Sequence, residues 1–137
     1  MEEQIMDIIP VEKFGKDHWS LLAYIETCCA DNGGVIDLRR VRVNPNTHPL
    51  CAVGQHSPRN WLPTYSTILN DSTLLYGHDD IDCLDDLEKA GMIYIKSLVN
   101  GFVFLSPLGI KISARLRKHK IEGKQYRDFE IGAVVVG

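Results

Sequence analysis

The sequence predicts a single α+β domain, and three observations predict it. Apolar residues recur at three- and four-residue spacing in separate segments near the start, middle and end of the chain. Between the last two lies Asn100-Gly101, flanked by two runs rich in β-branched and aromatic residues, the strongest short signal for a hairpin. The length of 137 residues, with 45% hydrophobic and 24% charged, suits one hydrophobic core in an ordinary globular protein.

Each element follows from local chemistry. In DHWSLLAYIETCCADNGG, His18, Leu21, Leu22, Ile25, Cys28 and Cys29 fall on one helical face. Asp17 is the expected cap at its start, and Asn32-Gly33 tolerates positive φ at its stop. Val35 and Ile36 suit a short strand, with Asp37 capping a second helix through Leu38, Val41 and Val43 before Pro45 and Pro49 halt regular structure. The stretch 44–77 is rich in Pro, Asn, Gly and His and is longer than most connections within a domain. Its second half alternates: Tyr65, Thr67 and Leu69 precede Asn70-Asp71, and Thr73 and Leu75 follow, which predicts a hairpin. A third helix, capped by Asp79 or Asp80, buries Ile81, Leu84 and Leu87 and ends at Ala90-Gly91. Strands follow on either side of Asn100-Gly101. Ser106-Pro107 opens a fourth helix with Leu108, Ile112, Leu116 and His119 on one face. The predicted organisation is thus 17–43 for two helices, 44–77 for an insert, 78–120 for the third helix, hairpin and fourth helix, and 121–137 for a tail. In that tail Ile131, Val134, Val135 and Val136 suit an edge strand or a self-association surface.

Charge is unevenly spread behind a net of -3. Residues 78–89 carry six acids against Lys89, whereas 111–127 carry seven bases against Glu122. The longest apolar runs are far too short to span a bilayer, and the acidic N-terminus lacks a secretory pattern, so the expected location is the cytoplasm and no membrane partner is expected. The four cysteines are expected as free thiols there, since Cys28 and Cys29 are helix neighbours and Cys51 and Cys83 lie far apart.

The order of helix, short strand, helix, a helix ending in LEKAGMI, a hairpin over NG, then SPLG opening a basic helix resembles the winged helix-turn-helix superfamily. The likeness covers most of 17–120 and is sharpest over 84–116. It implies an α+β winged helix-turn-helix with a loop/β-hairpin insert between the second and third helices, the third being the recognition helix and 94–105 the wing. The chain also has the general look of small bacterial proteins. Two departures bear on function. An insert replaces the short turn between the second and third helices. The N-terminal half of the recognition helix carries Asp79, Asp80 and Asp82, which repel phosphodiesters rather than releasing counterions. Carboxylates there also cap free amides and favour the helix dipole, by about 0.3–1 kcal/mol each.

Site chemistry is sparse. Cys51-x4-His56 and His78-x4-Cys83 provide two sulfurs and two imidazoles, a set suited to tetrahedral zinc, but their spacing fits no common finger or ribbon and no metal is assigned. His78 with Asp79, Asp80 and Asp82 can be drawn as an acid–base group, yet no phosphate loop or nucleophile elbow accompanies it. No catalytic residue, cofactor or small-molecule ligand is therefore expected. The sequence points to a non-enzymatic regulatory module acting through a protein partner or its own copy. Asp79, Asp80 and Asp82 would form its acidic surface, with Trp61 and Tyr65 as anchors. The second reading is a DNA-binding regulator touching phosphates through Arg39, Arg40, Arg115, Arg117 and Lys118.

Overall fold

A computed structural model of the chain describes residues 9–35, 66–76, 78–97 and 101–131. A 3-10 turn, Val11–Lys13, leads into α1 (Lys16–Asn32). Strands β1 (Ser66–Ile68) and β2 (Leu74–Tyr76), helix α2 (Asp80–Lys89), strands β3 (Ile93–Ser97) and β4 (Phe102–Leu105), helix α3 (Pro107–Ile121) and a last 3-10 turn, Tyr126–Asp128, follow. The described residues thus form an α+β arrangement of three helices and two small antiparallel sheets. The predicted second helix, at 38–43, lies outside them, so the predicted third and fourth helices are α2 and α3. None of the helices described is long and apolar enough to cross a membrane.

The helix starts show how side chains near each end satisfy backbone groups that the helix itself cannot. At α1 the cap is Gly15, not the expected Asp17, which sits in the first turn. The reason is local: the Gly15 N–H donates to Nδ1 of His18 at 3.2 Å, closing the end with a ring three residues on. A side chain at Gly15 would also strike the Ile68 carbonyl, 2.0 Å from its Cβ. Gly33, at φ 66°, ends the helix, and the Gly34 N–H returns to the Cys28 carbonyl. At α2, Asp79 Oδ1 accepts from the Asp82 N–H at 3.0 Å while Asp82 Oδ2 accepts from the Asp79 N–H at 3.1 Å, a reciprocal box. At α3, Ser106 Oγ accepts from the Gly109 N–H, and Pro107 occupies the first turn, where no N–H is needed.

Both predicted hairpins form. Ser66 faces Tyr76 and Ile68 faces Leu74 in the first; Ile93 faces Leu105 and Tyr94 faces Phe104 in the second, with an irregularity between Ile95 and Ser97. Gly101, at φ 75°, takes the conformation its turn requires. Val35 bridges Phe102, and the Val103 N–H donates to the Gly34 carbonyl at 2.8 Å, so the end of α1 runs back along β4.

The core lies where the three helices meet the inner side of β3–β4. Leu22 and Ile25 of α1, Leu84 and Leu87 of α2, Ile112 and Leu116 of α3, and Val103 of β4 are fully buried. The tail expectation needs one correction: Ile131 is buried with Phe129 in this core, where the Phe129 ring meets Trp19 edge-on at 4.9 Å. Apolar burial outweighs exposure at that position. Residues 132–137 lie outside the description.

Candidate functional site

Beneath the first hairpin, where α1 and α2 cross, the structure gathers a buried polar cluster. His18 on α1 lies on the face read as apolar and is fully buried, its ring stacked at 4.2 Å on Phe14. Its Nε2 is 2.9 Å from Asp86 Oδ2 on α2. His78, in the link between β2 and α2, brings its own Nε2 to the same oxygen, also at 2.9 Å. On the far side of that ring, Nδ1 is 3.0 Å from Thr67 Oγ1 of β1. Thr67 Oγ1 is 2.7 Å from the His78 carbonyl and 3.4 Å from Cys83 Sγ.

Counting protons settles the donors. His18 Nδ1 accepts from the Gly15 N–H, so the proton of the neutral ring is on Nε2 and is given to Asp86. A carbonyl oxygen can only accept, so the Thr67 hydroxyl donates its proton to the His78 carbonyl and its oxygen accepts from His78 Nδ1. His78 then donates from both nitrogens, which makes it an imidazolium with Asp86 as its counterion. Electrostatics agree. Burial by itself would lower the pKa of His78, but the hydrogen bond and charge of Asp86, aided by Asp82 and Asp79, hold it above the ordinary 6.5. Burial would likewise raise Asp86; the hydrogen bonds from His18 and His78 and the charge of His78 hold it below the ordinary 3.8.

Cys83 completes an order of thiol, imidazole and carboxylate, with Sγ 3.8 Å from His78 Nδ1. It is no working nucleophile. The thiol is fully buried, and burial, with Asp80, Asp86 and Asp17 adding repulsion, pushes it far up the scale against the Thr67 hydrogen bond. His18, Cys83 and Asp86 also place one donor atom each within 4.8 Å of one another, and two members of the suggested zinc set, His78 and Cys83, are brought together. Cys51 and His56 lie outside the described residues. A cation would need the Nε2 lone pair of His18, which holds the ring's only proton while the Gly15 N–H occupies Nδ1. It would also need a thiolate where burial favours the thiol. As arranged, the cluster fits protons better than a metal ion.

The residues singled out by the sequence are divided among several roles. Asp79 is completely buried and, with Asp82, is spent on the cap, so Asp79 offers no carboxylate to a partner. Asp80 and Asp82 are half-buried, and Asp85 and Glu88 supply the exposed charge of α2. Arg117 is tied to Glu26 of α1 at 2.8 Å. Arg115 and Lys118 line an open cleft with Lys124, but Glu122, Asp128 and Glu130 line it too and balance their charge. Trp61, Tyr65, Arg39 and Arg40 lie outside the described residues. Sequence reading left out His18, Asp86 and Thr67. The available signal was a polar residue on a predicted apolar face: His18 in the first helix, and Asp86 beside Leu87 in the third. Two such residues of opposite charge preference are natural partners.

No family model, curated protein or solved structure matches the chain.

Proposed function

We propose that this chain is a winged-helix module that acts through protein contacts, with the face of α2 as the acidic part of its binding surface. The order of α1, the β1–β2 hairpin, α2, the β3–β4 hairpin as wing, and α3 supports that fold reading, as does the single bridge from Val35 to Phe102 on the second wing strand. The observation that carries the functional reading is the state of the helix that would enter a DNA groove. Two of its leading carboxylates, Asp79 and Asp82, are committed to the cap and Asp86 to the histidines. Asp85, paired with Lys89, and Glu88, which accepts from the Ile95 N–H, lie on the exposed face, where Lys89 is the one base of the helix. Such a surface opposes a polyanion and complements a basic protein. The outer face of the first hairpin exposes Ile68, Leu74 and, at 82%, Tyr76, while Thr67 faces inward. A surface that offers both exposed apolar and acidic side chains suits a partner bearing apolar and basic groups, on another protein or a second copy of this one.

A photo-crosslinker placed at Leu74 and expressed in the native cell tests this reading. A discrete protein adduct is expected, and Asp80→Lys with Asp85→Lys should remove it while the protein stays folded. An adduct unaffected by charge reversal would refute the acidic contact.

The second reading, phosphate contact through Arg115, Arg117 and Lys118, has the exposed positions of these residues on α3 in its favour. The Glu26 pair and the balanced cleft weigh against it.

A further inference from the structure

We propose that the proton on His78 is a latch that fastens the β1–β2 hairpin to the helical core. With both ring nitrogens protonated, His78 donates to Asp86 on one side and to Thr67 on the other, so one side chain ties β1 to α2 and, through the shared carboxylate, to His18 on α1. A neutral ring has one N–H. The carboxylate is the stronger acceptor and keeps it. Nδ1 then turns from donor to acceptor, and the Thr67 hydroxyl must choose between that nitrogen and the His78 carbonyl, both now within its reach. One acceptor is left to the Cys83 thiol, a weak donor 3.4 Å from Thr67 and 3.8 Å from Nδ1. Hairpin closure therefore loses a buried hydrogen bond whenever His78 loses its proton.

The surroundings favour such a switch near neutral pH. From α2, Asp79, Asp82 and Asp86 and the Cys83 thiol face the ring. From α1 it meets the His18 ring, at 6.0 Å between centroids, and from β1 the uncharged Thr67 hydroxyl. Among the described residues no lysine or arginine is bonded to Asp86, and the two histidines are its partners there. The ring is also reachable by water: His78 keeps 16% of its side-chain surface, while His18 has none. Among the described residues the hairpin has few other ties to the core. Its tip is fixed by the Lys13–Asp71 pair and by Asn70 contacts to the first 3-10 turn, and its outer face is open. The latch thus governs the segment that carries Ile68, Leu74 and Tyr76, whatever those residues bind.

Ring-labelled histidine NMR and amide hydrogen exchange on the full chain test the proposal together. The His78 resonance should titrate with a midpoint above 6.5. The protection factors of the β1–β2 amides should fall with that same midpoint, by up to about tenfold per pH unit, while those of α3 stay constant. Thr67→Val should leave the His78 titration in place and abolish the hairpin response. His78→Gln should make hairpin exchange independent of pH; should that variant fail to fold, Thr67→Val carries the test alone. The proposal is overturned by a His78 midpoint at or below 6.5, by hairpin amides that ignore the titration, or by a hairpin response that survives Thr67→Val. Stoichiometric zinc in protein purified without added metal would overturn it as well, since the metal would then hold the ligands that the protons hold here.

Discussion

Replacing Asp86 by Asn keeps the shape of the side chain and removes the charge on which two imidazoles converge. In the native protein Asp86 Oδ2 accepts at 2.9 Å from both rings. Because both rings meet the same oxygen, the amide can turn its carbonyl to both, but it brings no charge to answer the His78 imidazolium. The cost depends on pH because His78 can escape by losing its proton. Below 6.5, where the native pair is fully formed, the variant must hold the imidazolium beside a neutral amide or strip its proton, and removing one partner of a buried ion pair costs about 3–5 kcal/mol. Above the folded value of His78 the ring is neutral, and the loss shrinks to that of exchanging a carboxylate for a weaker amide acceptor, about 1–2 kcal/mol. The sign follows from the directions of the shifts. His78, raised, contributes stability that is full below 6.5 and is lost as pH rises through its folded value. Asp86, lowered, contributes stability that is present above 3.8 and is lost as pH falls through its folded value. The cluster is therefore strongest between those limits, and so is the penalty of Asp86→Asn. Urea unfolding across a pH series measures it; at about 4 °C per kcal/mol, the melting temperature should drop by about 12–20 °C at the acidic end. A penalty under about 1 kcal/mol with no pH slope would refute the assignment of an ion-paired hub.

Other substitutions probe the rest of the account. Asp79→Ala should cost about 1–2 kcal/mol by urea unfolding through loss of the cap, while Asp85→Ala on the exposed face of the same helix should stay within about 0.5 kcal/mol. Native protein treated with iodoacetamide should leave Cys83 unlabelled by peptide mass spectrometry and label it in urea, because the buried thiol is held protonated. Gly109→Ala should destabilise by about 2 kcal/mol or more in thermal melts, since its Cβ would lie 2.0 Å from the rigid Met92 carbonyl.

Much of this fold was legible in the chain, because its elements are short and locally encoded. Asn100-Gly101 and the alternation around Asn70-Asp71 both mark hairpins that form, and the 3.6-residue spacing of Leu84 and Leu87, or of Ile112 and Leu116, marks faces that are buried. The cap of α1 was not legible, since a glycine closed by a histidine ring leaves no cap residue to read. The cluster was hidden for a different reason. Its members come from positions 18, 67, 78 and 86, and only packing of α1 against α2 beneath the hairpin brings them together. Reading the aspartates at 79–82 as one surface also missed that burial separates them: Asp79 turns inward to cap the helix, and His78 passes over its sequence neighbours to pair with Asp86. Local charge counts carry no information about which carboxylate is paid for by a buried partner.

The claim that α2 is committed inward and acidic outward meets its most direct test in an amide NMR titration with a short DNA duplex at low salt. The account predicts no saturable shifts along 80–89, with any weak perturbation confined to the basic end of α3. Saturable, salt-sensitive shifts centred on Asp80, Asp82 and Asp85 would contradict it.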